Sequence, residues 1–253
     1  MFHKTSLINN RKISIIFPIF FLYFLTGCTA LDIGKPHFQD YIGYKDNPLS
    51  KEETLWLKDG LQSKITPKIW QASARINGRN RRELLYDAVD YIQYHFQYDN
   101  WYLDKAFTRT ADDIFNAGVM GGCSDYALAH IALFRALGIP ARLILTINMD
   151  WISAYKNNDL LIPNGHVFME VYLEKDWHLI DPTYSLLYQG YDPELKSFPR
   201  KEYFVIRARD YWDVDITNLS DVIRIFQRLA LKLEPGQYSV PHYLETEVKI
   251  YPF

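Results

Sequence analysis

Residues 121–142, GGCSDYALAHIALFRALGIPAR, read as a helix that carries a cysteine in its first turn and runs into a strand. Ala127, Ile131, Leu133, Phe134 and Leu137 recur at helical spacing, and Gly138-Ile139-Pro140 supplies a Gly/Pro stop. The next residues, Ala141–Ile147 (ARLILTI), form an apolar strand. Cys123 therefore stands at a helix N-terminus, where unpaired backbone N–H groups and the helix dipole favour a thiolate. Gly121 and Gly122 leave the backbone near the sulfur uncovered, and its N–H groups are candidates for an oxyanion hole.

Working outward, His166–Leu173 and Trp177–Asp181 are two further strands, joined by the polar turn Glu174-Lys175-Asp176. Tyr203–Arg207 and Thr246–Tyr251 have strand patterns, and Ser220–Leu233 reads as a capped amphipathic helix. Upstream, Ser50 with Glu53 makes a capping box for a short helix to about Lys58, and a second helix covers Ile65–Arg75. Leu84, Leu85, Ala88, Val89, Ile92 and Phe96 place a helix over Asn80–Phe96, and Thr110 to Asp113 starts another that Gly118 stops. Helices come first and mainly antiparallel strands follow, which is the α+β pattern.

A thiolate nucleophile needs an imidazole to move protons and a carboxylate to fix that imidazole. The chain offers His166 at the start of one strand and Asp181 at the end of the next. A two-residue turn at Lys175-Asp176 would set Asp181 opposite Glu170, on the His166 face but about 13 Å along the strand at ~3.3 Å per residue. A three-residue turn would flip the face. On strand geometry Glu170 is thus a rival orienter. His130 sits among apolar residues two turns from the sulfur and reads as packing, as does His178 on the face opposite Asp181. Asp125 reads as a first-turn cap and Tyr126 as a candidate pocket wall. Trp101, Tyr102 and Asn116 are the candidate side-chain oxyanion donors.

Four blocks carry a resemblance: Gly121 to Ala127, Arg135 to Arg142, His166 to Tyr172, and Trp177 to Thr183. Together, over roughly 81–184, they resemble the bacterial transglutaminase-like domain of the wider papain-like group of cysteine enzymes. The resemblance implies a core of N-terminal helices packed on an antiparallel sheet, with the nucleophile at a helix N-terminus. It also implies Cys123 as nucleophile, His166 as general base and acid, and Asp181 as the imidazole's orienter.

The chain has 253 residues, 48% hydrophobic and 23% charged, enough apolar content for a sizeable core. Lys4, Arg11 and Lys12 precede the 13-residue apolar stretch ISIIFPIFFLYFL, too short to span a bilayer and interrupted by Pro18, so it reads as an export signal. Its end, Leu25-Thr26-Gly27-Cys28, resembles the lipobox of bacterial lipoproteins, which implies cleavage before Cys28 and a lipid on that sulfur. Thr29 replaces the aspartate associated with inner-membrane retention, which points to the outer membrane in a Gram-negative host. Beyond the leader, 25 basic residues (28 less 3) face 30 acidic ones, and no basic run exceeds Arg79-Asn80-Arg81-Arg82. That excludes an electrostatic nucleic-acid footprint. No ligand-spaced Cys or His pair and no phosphate-cradling glycine loop occur, so neither a metal nor a cofactor is expected.

The expected organisation is a signal over 1–27, a tether and helical lead-in over 28–79, a catalytic core over 80–190 and a C-terminal extension over 191–253 that covers the cleft. With Cys28 lipidated, Cys123 is the only thiol left in an oxidising compartment, which suits a reactive group. Two functions fit. One is a membrane-anchored envelope enzyme acting on amide bonds of peptides or proteins, with hydrolysis favoured over cross-linking. The other is a non-catalytic transglutaminase-like binding module or adaptor.

Overall fold

The structure, a computed structural model, describes residues 48–159, 162–234 and 247–249. The signal, Cys28 and most of the tether lie outside the described residues, as does part of the expected strand Thr246–Tyr251.

Helices begin where their caps predict. Ser50 and Glu53 form a reciprocal capping box on α1 (Lys51–Leu55). It stops short of Lys58 because Trp56, Leu57 and Lys58 each bond back three residues, closing into tight turns. Pro67 opens α2 (Pro67–Ser73), and the Asn80 side chain caps α3 (Arg81–His95), which buries Leu84, Leu85, Ala88, Val89 and Ile92. A second capping box, Thr110 with Asp113, starts α4 (Ala111–Ala117), and Gly118 ends it at φ 65°. Short β1 (Gln97–Tyr98) and β2 (Val119–Met120) pair in parallel and bring residues 97–105 beside the turn before Cys123.

The central helix α5 (Cys123–Ala136) lies against β3 (Ala141–Asn148) and β4 (Gly165–Leu173), with α2, α3 and α4 packed around it. Ile131, Leu133 and Phe134 are fully buried, each worth roughly 1.5–3 kcal/mol relative to exposure. This is a helix enclosed nearly all round, and even its Arg135 and His130 are buried.

The larger sheet has the order β7-β8-β3-β4-β5-β6-β9, with every neighbouring pair antiparallel. Its other strands are β5 (Asp176–Asp181), β6 (Leu186–Tyr188), β7 (Ser197–Phe198), β8 (Glu202–Ala208) and β9 (Glu247–Lys249). Residues beyond 190 thus enter the same sheet as the Cys123 helix packs upon. Alternation along β4 sends Val167, Met169 and Val171 into the core shared with α5, while Phe168 joins Ile144, Leu179 and Tyr188 in a second cluster. Two helices complete the fold. α6 (Met149–Lys156), capped by Asn148, follows β3 directly, and α7 (Leu219–Lys232), capped by Asn218, packs on α6. The result is the α+β arrangement of helices on an antiparallel sheet that the sequence predicts.

Candidate active site

Cys123 is the first residue of α5 and is half-buried. The first helical bonds run from Asp125 N and Tyr126 N to Gly122 O (3.0 and 3.1 Å), so the amides of Cys123 and Ser124 precede the hydrogen-bonded ladder. A Cβ on Gly121 would lie 2.4 Å from the carbonyl oxygen of Tyr102, so this position admits only glycine beside the 97–105 segment. The turn is held from below. Gly121 N donates to Asp125 Oδ2 (2.8 Å), and that oxygen also pairs with Arg109 (2.6 Å), whose guanidinium lies over the Tyr102 ring. Burial pushes Asp125 up from its ordinary value, with the Gly121 amide and Arg109 pulling the other way. Asp125 is therefore more than a first-turn cap: it fixes the loop that presents the cysteine.

His166 lies one residue into β4 and Asp181 ends β5. The hairpin turn falls at Glu174-Lys175, within the expected Glu174-Lys175-Asp176 and one residue before the two-residue alternative, so Leu173 pairs with Asp176 and Met169 with Ile180. Continuing that register, Asp181 falls opposite Phe168, on the His166 face and only two residues away. His166 Nε2 lies 2.9 Å from Asp181 Oδ2, and the carboxylate is fully buried. Asp181 Oδ1 accepts from Thr183 N (3.1 Å), and Oδ2 also meets Arg200 Nη1 (3.1 Å). Cys123 and His166 line the same cavity, so the thiol and the imidazole share one space. Burial lowers the imidazole's proton affinity, but Asp181 and Cys123 together outweigh it and push the pKa up to about 10. The structure thus brings Cys123, His166 and Asp181 together.

Glu170, the rival orienter, is engaged elsewhere. Arg207 grips it bidentately (2.8 and 2.8 Å), and Arg142 and the Tyr191 hydroxyl complete its shell. His130 is fully buried with Nδ1 2.7 Å from Tyr126 O, and burial pulls its pKa down to about 4. It is a neutral packing residue. His178 pairs across from Val171, and burial lowers its pKa too. Of the candidate oxyanion donors, Trp101 is largely exposed, Asn116 donates to Asp112, and Tyr102 offers its backbone to Gly121. None of the three lines the cavity at Cys123, where the amides of Cys123 and Ser124 stand outside the helical ladder as candidate donors.

Several residues near the site carry no motif in the sequence. Arg200, at φ 64°, stacks on the Tyr184 ring (3.8 Å) while reaching Asp181. Buried Glu202 meets the Thr146 hydroxyl (2.8 Å), which itself lies 3.0 Å from the His166 carbonyl. Tyr211, fully buried, donates to Ser124 O (3.3 Å) in the first turn of α5. Among the described residues no three His, Cys, Asp or Glu side chains group as a metal site would require.

The family model of the transglutaminase-like superfamily matches residues 71–182. Among solved structures, a proposed cysteine protease from Cytophaga hutchinsonii is 20% identical, with a TM-score of 0.49 over 66% of this chain and 50% of that one. A protein described as a TGase is also 20% identical, with a TM-score of 0.32 over 58% of this chain and 37% of that one. The chain thus spans half the length or less of these two. No curated protein matches it. Residues 71–182, which hold Cys123, His166 and Asp181, are a transglutaminase-like domain.

Proposed function

We propose that this chain is an exported, lipid-anchored cysteine enzyme that hydrolyses amide bonds through a thioester on Cys123. One observation carries most weight: the His166 ring is held by Asp181 at 2.9 Å and lines the same cavity as Cys123. Proton transfer from thiol to imidazole gives a thiolate beside an imidazolium, with Asp181 fixing the ring. The thiolate adds to the substrate carbonyl, and the oxygen's developing charge meets the amides of Cys123 and Ser124. As the C–N bond breaks, His166 gives its proton to the leaving amine. Water then attacks the thioester, losing a proton to His166, and the acid departs as the thiol re-forms.

Hydrolysis is favoured over cross-linking because, among the described residues, no carboxylate lines the cavity at the sulfur to receive a lysine ammonium. The lipobox-like Leu25-Thr26-Gly27-Cys28 supports a lipid on Cys28, which would hold the enzyme at the envelope membrane, the outer one in a Gram-negative host, near peptide or protein substrates.

The test uses p-nitrophenyl acetate as a generic acyl donor. Intact mass should show an acetyl group on Cys123 that water removes, and His166→Ala should slow acylation by about 100-fold or more. Equal rates in the wild type and His166→Ala would overturn the enzyme reading and leave a binding module. Added primary amine should leave acetate as the main product; amide instead would move the function to acyl transfer.

A further inference from the structure

We infer that the enzyme selects substrates carrying a leucine- or phenylalanine-sized apolar side chain beside the scissile amide, and that α7 reads it; this rests on the function proposed above. Beside Cys123 and His166 lies a cavity of about 240 Å³. Leu103 and Phe107 line it, as do Val222, Ile223 and Phe226 of α7. Apart from Cys123, Ser124, Asn164 and His166, its lining side chains carry no polar atom. A side chain bearing charge would be stripped of water there without a partner.

The size fits one residue. An apolar cavity of about 150 Å³ takes a benzene, whereas drug-sized ligands need roughly 300 Å³ or more. Leu103 and Leu219 line the space yet remain 49% and 48% exposed, so they stand at its mouth and would be covered by an arriving apolar chain.

The α7 wall lies outside residues 71–182, while the rest of the lining lies within them. It is nonetheless locked to the chemistry. Gly165, next to His166, lacks a Cβ that would lie 2.7 Å from Phe226 Cζ and 2.3 Å from Thr146 O. The ring of Phe226 thereby packs directly against the backbone that carries the imidazole.

Cysteine-directed peptidyl acyloxymethyl ketones test the assignment, with leucine, phenylalanine, glycine, glutamate or lysine next to the reactive carbonyl. Second-order labelling of Cys123 is followed by intact mass. Leucine and phenylalanine should react at least about 10-fold faster than glycine, and faster still than glutamate or lysine. Ile223→Trp, which fills the pocket, should collapse the leucine-to-glycine ratio toward one. Leu219→Glu, at an exposed position that tolerates charge, should lower the same ratio. No apolar preference, or a preference untouched by both variants, overturns the proposal. Iodoacetamide separates this from failure of the catalytic reading: rapid, His166-dependent alkylation without side-chain preference sinks only the pocket, whereas alkylation indifferent to His166→Ala sinks both.

Discussion

His166 loses most of its solvent on folding, gains the Asp181 carboxylate on one nitrogen and has the Cys123 thiol in the same cavity. Its pKa rises from the usual 6.5 to about 10, so the folded state binds the imidazolium more tightly than the unfolded chain does. The sign follows: the stabilisation is complete below pH 6.5 and disappears as pH climbs through 10. The ring's titration, followed by NMR of its carbon-bound protons, should therefore have a midpoint far above that of a free histidine. Asp181→Asn should bring that midpoint down toward 6.5, because it removes the charge that favours the imidazolium and leaves the burial that opposes it. A midpoint unmoved by the substitution would mean that Asp181 orients nothing.

At the scale of the element, the β4–β5 hairpin decides whether that pair can meet. Glu174 and Lys175 occupy the turn at φ 53° and 80°, a left-handed conformation that neither residue type favours. Asp176 looks like the better turn former but instead starts β5, its carboxylate accepting from Trp177 N (2.8 Å). The turn's position was therefore not legible, and with it the approach of Asp181 to His166. Capped helices were legible, because Ser50, Asn80 and Thr110 announce α1, α3 and α4 through their own side chains. The short α6 was not: its cap, Asn148, ends an apolar strand, and only tertiary burial of Trp151 and Ile152 reveals the helix. The strained turn makes a prediction. Lys175→Gly relieves a side chain at φ 80° while keeping the Arg82–Glu174 pair (2.8 Å). It should stabilise the protein by roughly 0.5–1 kcal/mol, after the glycine's larger unfolded-state entropy is subtracted. Urea unfolding should show a higher midpoint at unchanged slope.

For the whole molecule, the transglutaminase-like domain is bounded by two flanks that are bonded to each other. Asp210 is fully buried, and its Oδ2 accepts from Gln62 N (2.7 Å), Ser63 N (3.0 Å) and Ser63 Oγ (3.2 Å), 147–148 residues away in sequence. Its Oδ1 accepts from Asp213 N (3.0 Å). A Cβ on Gly60 would lie 1.9 Å from that carboxylate, so the glycine permits the approach. Arg135 at the far end of α5 joins in through Ser63 Oγ (2.8 Å) and Arg209 O (2.9 Å). Burial pulls Arg135 down to about 9 while the charge of Asp210 works to keep it protonated. These contacts fix where the chain beyond residue 208 departs, and α7, the wall of the cavity, follows from there. No local pattern foretells a staple whose partners are so far apart in the chain. Asp210→Ala leaves its buried donors without an acceptor and should cost roughly 2–3 kcal/mol, a fall in melting temperature of about 4–12 °C for a chain of this size. Asp210→Asn can keep its carbonyl oxygen on Gln62 and Ser63 and loses only the bond from Asp213, so it should fall by less. Equal losses in the two variants, measured by thermal unfolding, would show that the charge opposite Arg135, and not the hydrogen bonds, holds the flanks together.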